Sequence, residues 1–251
     1  MAGPATPPSN ATPEGRALAR RMLLLSLCIT GLYLMVGFKW FFSACFGGML
    51  TPWQFALAWP IYRYCVVACL LWLVPWYIST RKWRLKASDL GWRKGNARLG
   101  YILTAIGLAI SVPAGIIAAG DPSMVSFYPW ERVFVDPAYG ELNLGGFVAM
   151  EAMYVVLYYV PYEFFFRGVS MLPLVERGSW RGTWIVLYTT AITTVVHWDV
   201  PATELVSAFA VGFIFGIAAM KCGSFRYVLI VHAAIGVMTN ITCMLALQGF
   251  F

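Results

Sequence analysis

Pro161-Tyr162-Glu163-Phe164-Phe165-Phe166-Arg167-Gly168 sets one carboxylate and one guanidinium inside a long apolar run. Positions four apart lie on nearly one face of a helix, and acid before base is the better order, so Glu163 and Arg167 are predicted to pair. An isolated charge at membrane depth is expensive. One that is kept there marks either a functional site or an ion pair that only fixes helix packing. The two histidines bear on that choice. His197 and His232 each sit in or at the end of a further apolar segment, away from polar loops. A carboxylate and two imidazoles on three helices form a set that could activate a water or hold a metal.

The whole chain agrees with a membrane reading. It has 251 residues, of which 60% are hydrophobic and only 12% charged, with mean hydropathy +0.71. A soluble domain carries about a quarter charged residues. The expected fold is therefore all-α, a polytopic transmembrane helical bundle of about seven spans, with six to eight as the range. A disordered basic tail is expected over 1–20, where Pro, Ala and Thr dominate, and a single transmembrane domain over 21–251. Asn10-Ala11-Thr12 matches a glycosylation acceptor by chance on this reading. The predicted spans begin near Met22, Trp53, Leu99, Phe147, Thr183, Leu205 and Arg226. Gly212 and Gly216 have the small-xxx-small spacing that lets two helices approach closely. Arg63 lies inside the second span, where it either snorkels or meets a buried acid such as Glu151 or Glu163.

Loop charge orients the bundle. Of the 18 lysines and arginines, all but Lys39, Arg132 and the intraspan Arg63 and Arg167 fall on one side of these spans, among them Arg16, Arg20, Arg21, Arg177, Arg181, Lys221 and Arg226. The basic loop Ser79 to Arg98 lies on that side, and the acidic loop Gly120 to Gly146 on the other. The positive-inside rule then predicts a cytoplasmic N-terminus in a plasma (inner) membrane protein. The net charge of +7 is a topological signal, so nucleic acid is not an expected partner. Six cysteines show no paired CxxC spacing and read as packing residues.

From about 147 to 251 the chain resembles the core of the CPBP family of intramembrane proteases, which includes type II CAAX prenyl endopeptidases and Abi-like, bacteriocin-linked proteins. The resemblance rests on Tyr162-Glu163-Phe164-Phe165-Phe166-Arg167-Gly168, on Thr193-Thr194-Val195-Val196-His197, and on the linking pattern that leads through Gly212, Gly216 and Cys222-Gly223-Ser224-Phe225 to Ile230-Val231-His232. Three positions depart from the family pattern. Tyr162 stands in place of a first glutamate, Thr193 in place of a phenylalanine, and Gly236 in place of an Asn or Asp.

The resemblance implies peptide-bond hydrolysis near the membrane, with a peptide or prenylated protein as substrate and Glu163, Arg167, His197 and His232 as the site. In the family the first glutamate and the second-motif histidine activate the water, so here Glu163 would take the base role by a small rotation, or Glu151 would, since it lies about 20° from Tyr162 on an ideal helix. The resemblance leaves a metal's part in the reaction open. Should zinc or another divalent metal take part, Glu163, His197 and His232 are its expected ligands. His197 is late in one span and His232 early in another, so the fifth segment has to tilt or start outside the bilayer to bring them level. The alternative is a non-catalytic membrane protein, an immunity factor or scaffold, whose Glu, Arg and His cluster holds helices together.

Overall fold

The computed structural model describes residues 12–176 and 182–250, so Asn10, Ala11, Arg177 and Arg181 lie outside the described residues. Every regular element among them is helical. In chain order they are α1 (Pro13–Val36), α2 (Lys39–Phe46), α3 (Pro52–Lys82), α4 (Ala97–Ala119), α5 (Pro122–Phe127), α6 (Leu144–Glu176), α7 (Gly182–Val195), α8 (Ala202–Cys222) and α9 (Arg226–Leu247). Six of these, α1, α3, α4, α6, α8 and α9, are long and apolar enough to cross a membrane, and α7 is a shorter apolar helix. The protein is an integral membrane helical bundle, within the six to eight spans expected.

α1 starts earlier than the composition suggests. Thr12 caps it by accepting a hydrogen bond from the Gly15 amide, Pro13 is the first helical residue, and Glu14 sits in the first turn. Each of these features favours a helix start. The tail expected over 1–20 is therefore helical from Pro13 onward, and Arg16, Arg20 and Arg21 ride on α1.

α3 and α6 are not uniform helices. Wide π-type turns occupy Ala68–Leu73 just ahead of Pro75 and Val155–Tyr159 just ahead of Pro161. A proline has no N–H for the helix and its ring crowds the carbonyl four residues back, so a widened turn relieves both defects. A wide turn advances fewer degrees per residue than a regular one. Every residue of α6 beyond Tyr159 is thereby rotated away from its ideal-helix position.

Glycines set the two closest helix pairs. α7 and α8 run antiparallel: Gly182 faces Met220, Gly216 faces Val186, and Gly212 faces Thr193 and Thr190. This fulfils the close approach expected of Gly212 and Gly216. α4 and α9 run parallel, with Gly100 against Tyr227, Gly107 against Val231 and Gly115 against Met238. The Thr242 hydroxyl also donates to the Gly115 carbonyl at 2.7 Å.

The two long loops close the bundle ends. Part of the basic loop is strapped down: Arg93 Nε donates to the Gly223 carbonyl at 2.6 Å and its guanidinium pairs with Glu176, while the Tyr227 hydroxyl donates to the Lys94 carbonyl at 2.8 Å. Gly95 has φ +55°, and a side chain there would run into the Cys222 carbonyl, so glycine is needed at this turn. At the other end the acidic loop inserts Trp130, which is 8% exposed, among Tyr64, Tyr154 and Tyr158. Tyr128 donates to Glu204 at 2.8 Å, and Thr203 to Asp121 at 2.8 Å, which tie this loop to the head of α8.

Candidate active site

The wide turn Phe164–Val169 carries Arg167 one helical step beyond Glu163, with both side chains buried. Glu163 is fully enclosed. Its Oε1 accepts a 2.6 Å hydrogen bond from His232 Nδ1, and its Oε2 lies 3.4 Å from Arg167 Nε. The second contact is an ion pair without hydrogen-bond alignment, and Arg167 reaches instead to the Gly212 carbonyl with Nη2 at 3.4 Å. The predicted Glu163–Arg167 pair is thus present, and His232 joins it.

His197 lies in the turn that follows α7. That helix has 14 residues. It rises about 21 Å, against about 30 Å of hydrocarbon, so its C-terminal turn stops short of the far interface. Val195 and Trp198 beside it are 50% and 57% exposed, as suits side chains facing lipid. A short helix, together with its turn, supplies the depth match that a full-length span would have denied.

His197 Nδ1 is 2.7 Å from the Thr193 carbonyl, which can only accept, so the proton is on Nδ1 and Nε2 is left free. The same logic applies to His232, whose Nδ1 meets a carboxylate. Tyr162 sits between the two imidazoles, with its ring 5.9 Å from His197 and 5.3 Å from His232. Thr193, the second departure from the motif, turns its hydroxyl onto the Thr189 and Thr190 carbonyls and faces Gly212.

A cavity of about 400 Å³ runs past both histidines. Arg63, Tyr158, Tyr159, Glu204 and Gly236 are among its walls, and Glu163 is not. Its wall includes Ile110 and Ile117 of α4, 53% and 76% exposed, and the exposed Ser207 of α8, so this flank of the cavity faces the apolar surroundings of the bundle. Outside the spans, hydrogen bonds from Ser123 and Thr203 hold the Asp121 carboxyl below the usual range, and burial raises the Tyr128 hydroxyl well above it, with Glu204 adding to the rise.

Four expectations change. Glu151 does not reach the histidines; it accepts a 2.6 Å bond from Asn240 Nδ2, because the wide turn at Val155–Tyr159 breaks the angular relation between Glu151 and Tyr162. Arg63 meets neither Glu151 nor Glu163. Its guanidinium lies 4.2 Å from the Trp130 ring and 5.5 to 5.8 Å from Phe38, Trp59 and Tyr158. Glu163, expected to take the base role by a small rotation, does not line the cavity that the histidines share; His232 and Arg167 stand against its two oxygens. The metal set Glu163, His197 and His232 does not form either: among the described residues no three His, Cys, Asp or Glu side chains gather as metal ligands, and Glu163 stands behind His232 instead of beside it.

Two site residues escaped the sequence reading. Tyr159 rests its ring 4.8 Å from His232 and its hydroxyl against Gly236. Glu204 reaches the cavity wall from the head of α8. Gly236 was the available signal for Tyr159, since a small residue where a polar one is expected leaves room for a large neighbour.

Residues 145–238 match the family model described as Type II CAAX prenyl endopeptidase Rce1-like. The match spans a little over a third of the chain, contains Glu163, Arg167, His197 and His232, and accords with the CPBP resemblance. No curated protein and no solved structure matches the chain.

Proposed function

We propose that the protein is an intramembrane endopeptidase of the CAAX-protease type in which His232, oriented by Glu163, is the general base. The observation that carries this reading is the 2.6 Å bond from His232 Nδ1 to Glu163 Oε1, on a histidine that lines the cavity while the carboxylate does not. A carboxylate behind an imidazole fixes its tautomer and stabilises the imidazolium that forms when Nε2 takes a proton. Arg167, 3.4 Å from the other carboxylate oxygen, holds Glu163 in place behind the imidazole. Water gives its proton to His232 Nε2 and its oxygen to the scissile carbonyl carbon. The same proton then passes to the leaving nitrogen as the C–N bond breaks.

The oxyanion needs a donor in place of the absent Asn or Asp. Tyr159 is placed to supply one: its hydroxyl fills the space beside Gly236 and its ring is in contact with His232, and the proton it donates to the Tyr154 hydroxyl at 3.1 Å in the resting protein would turn to the oxyanion. His197 presents its free Nε2 from the other side of Tyr162. The apolar flank of the cavity along α4 and α8 suits a substrate that arrives from the bilayer, such as a prenylated peptide. The N-terminus is cytoplasmic and the membrane is the plasma (inner) membrane on this reading, supported by the basic residues of the loop between α3 and α4.

The test is cleavage of a farnesylated reporter peptide by purified protein in liposomes. His232→Ala and Glu163→Gln should each lower kcat by at least about a hundredfold with folded yield retained, since general-base assistance contributes about 10²- to 10⁴-fold. Tyr159→Phe should lower kcat without changing KM. Full activity in His232→Ala would sink the assignment.

One observation favours a second reading. Tyr162, 2% exposed, stands between the histidines where the family has a carboxylate, so the motif's own acid beside His197 is replaced by a phenol. A protein of this kind would bind the substrate and leave it intact. Binding without cleavage in the natural chain, with cleavage gained in Tyr162→Glu, would establish that reading over the first.

A further inference from the structure

Two buried carboxyl groups take no part in the proposed reaction. Glu131, on the acidic loop, is 0% exposed, and Glu151, two turns into α6, is 7% exposed. A chain of contacts brings them to one place. The Tyr64 hydroxyl donates to Glu131 Oε1, the Tyr64 ring stacks on Tyr154 at 5.4 Å, and Tyr154 lies one turn beyond Glu151. Glu151 accordingly feels the charge of Glu131, and Tyr64 that of both. Asn240 joins the group from α9, two turns before that helix ends, with its Nδ2 donating to Glu151 Oε1 at 2.6 Å. The two helix ends lie at one level: Gln248 Nε2 donates to the Val135 carbonyl at 2.6 Å, and Met244 packs with Phe147.

Charge and hydrogen bonding are both incomplete in this group. No Lys, Arg or His among the described residues forms an ion pair with either carboxylate. Glu131 Oε2, which has only its own backbone amide nearby, and Glu151 Oε2 and Asn240 Oδ1 are enclosed without a hydrogen-bond partner. Asn240, 1% exposed, is fixed in this orientation by its bond to Glu151, because its oxygen in the same place would meet an acceptor. Leaving three such acceptors unserved in a buried place is costly. One proton shared between the carboxylates leaves the third oxygen without a donor, whereas a cation among them serves all three. The donors are oxygens alone and carry two negative charges, which suits a hard divalent ion. Calcium accepts irregular oxygen sets, while magnesium demands near-octahedral geometry and gives up its waters reluctantly, so an enclosed site favours calcium.

We propose that Glu131, Glu151 and Asn240 bind a calcium ion that fastens the acidic loop to α6 and α9. Neither carboxylate lines the cavity of the histidines, so this site is distinct from the one that carries the proposed function. The two are linked through Trp130, which adjoins Glu131 in the chain, forms part of the cavity wall and lies 4.2 Å from the Arg63 guanidinium. The ion thereby holds one wall of the cavity in place. Stripped of it, the two carboxyls have only protons to neutralise them. Calcium binding does not depend on the endopeptidase reading.

The experiment is equilibrium dialysis of the full-length protein in detergent, stripped with EGTA, against radioactive calcium at alkaline pH. The natural chain should bind one ion with a Kd of about 1 mM or tighter, and magnesium at least tenfold more weakly. Glu131→Gln and Glu151→Gln should each weaken calcium binding at least tenfold. Glu141→Gln, on the exposed part of the same loop, should leave it unchanged, and so should His232→Ala. Calcium should also raise the unfolding midpoint of the natural chain and fail to raise that of Glu131→Gln. No binding by the natural chain at calcium concentrations several times that Kd overturns the proposal, and this measurement needs no variant that has to fold. Binding that survives in folded Glu131→Gln and Glu151→Gln, or that Glu141→Gln abolishes, belongs to the surface and overturns it too. Magnesium bound as tightly as calcium does the same. Should calcium bind as expected while the natural chain cleaves no peptide, the endopeptidase reading fails and the calcium site stands.

Discussion

The Tyr159 hydroxyl occupies the place that a side chain on Gly236 would take. The departure at Gly236 and the placement of Tyr159 are therefore one structural event: a small residue on α9 and a large one on α6 fill a single volume. Gly236→Ala should overpack this point and destabilise the protein by about 1 to 3 kcal/mol. Rebuilding the family pattern with Gly236→Asn needs a third change, Tyr159→Leu, besides Tyr162→Glu. Thermal unfolding in detergent checks this. Gly236→Asn and Tyr159→Leu should be less damaging together than their separate effects predict, and simple additivity would refute the shared volume.

Glu163 has two partners, and that changes what its neighbours' mutations should do. Arg167→Ala removes the permanent cation beside a fully enclosed carboxylate, at a cost of about 3 to 5 kcal/mol for breaking a buried pair. Glu163→Gln keeps an acceptor for His232 Nδ1–H but leaves Arg167 unpaired. Replacing both with apolar residues, Glu163→Leu with Arg167→Met, should recover much of the folded yield lost in Arg167→Ala while abolishing function. Equal yields of Arg167→Ala and the natural chain would show that the pair does not matter for folding.

Composition and periodicity carried the fold far. Helical class, span range and the glycine contact of α7 with α8 follow from apolar runs and small-residue spacing, which are local properties. The Glu163–Arg167 pair was legible for the same reason, since i and i+4 are neighbours on any helix. The partner of Glu163 was not, because His232 is 69 positions away and nothing local fixes which of two histidines turns toward the acid. Glu151 misled because angular extrapolation assumes a regular helix, whereas Pro161 forces a wide turn between it and Tyr162. Arg63 misled because its neighbours are aromatic faces, the Tyr33 hydroxyl and, farther off, Asp199, all distant in sequence and none in the motif where an acid was sought.

The acidic loop supplies a pH test. Burial pushes the Glu131 carboxyl up from 4.5 to about 7, while the hydrogen bond from Tyr64 works against that rise. Below about pH 4.5 both folded and unfolded chains carry the proton, so nothing changes. Between 4.5 and 7 the unfolded chain ionises first and the folded one holds more protons, so stability falls as pH rises, by about 3 kcal/mol in all, and levels off above 7. Unfolding midpoints from pH 5 to 8 should show this decline, and Glu131→Gln should make it shallower. A midpoint that rises over the same range in the natural chain, with the slope unchanged in Glu131→Gln, would remove Glu131 from the account.

Orientation rests on loop charge, and the structure says where to probe it. Much of the acidic loop is packed: Trp130, Glu131 and Val133 are buried, so a label there would report packing instead of sidedness. Gly140 to Leu142 is exposed, with nothing near Gly140, and Ser88 is exposed in the basic loop. Single cysteines at Glu141 and Ser88, in a background where the exposed Cys45 is serine, should therefore report cleanly. In intact cells a membrane-impermeant maleimide should label Glu141→Cys and spare Ser88→Cys, and lysis should expose Ser88→Cys. The opposite pattern would invert the bundle. α7 then decides the far end: it is short and runs antiparallel to α8, and on the reading that the chain passes from one face to the other through α7 and its turn, a label at the exposed Phe250 should follow Glu141 and not Ser88. Labelling of Phe250→Cys on the side of Ser88 would mean that α7 enters and leaves on one face.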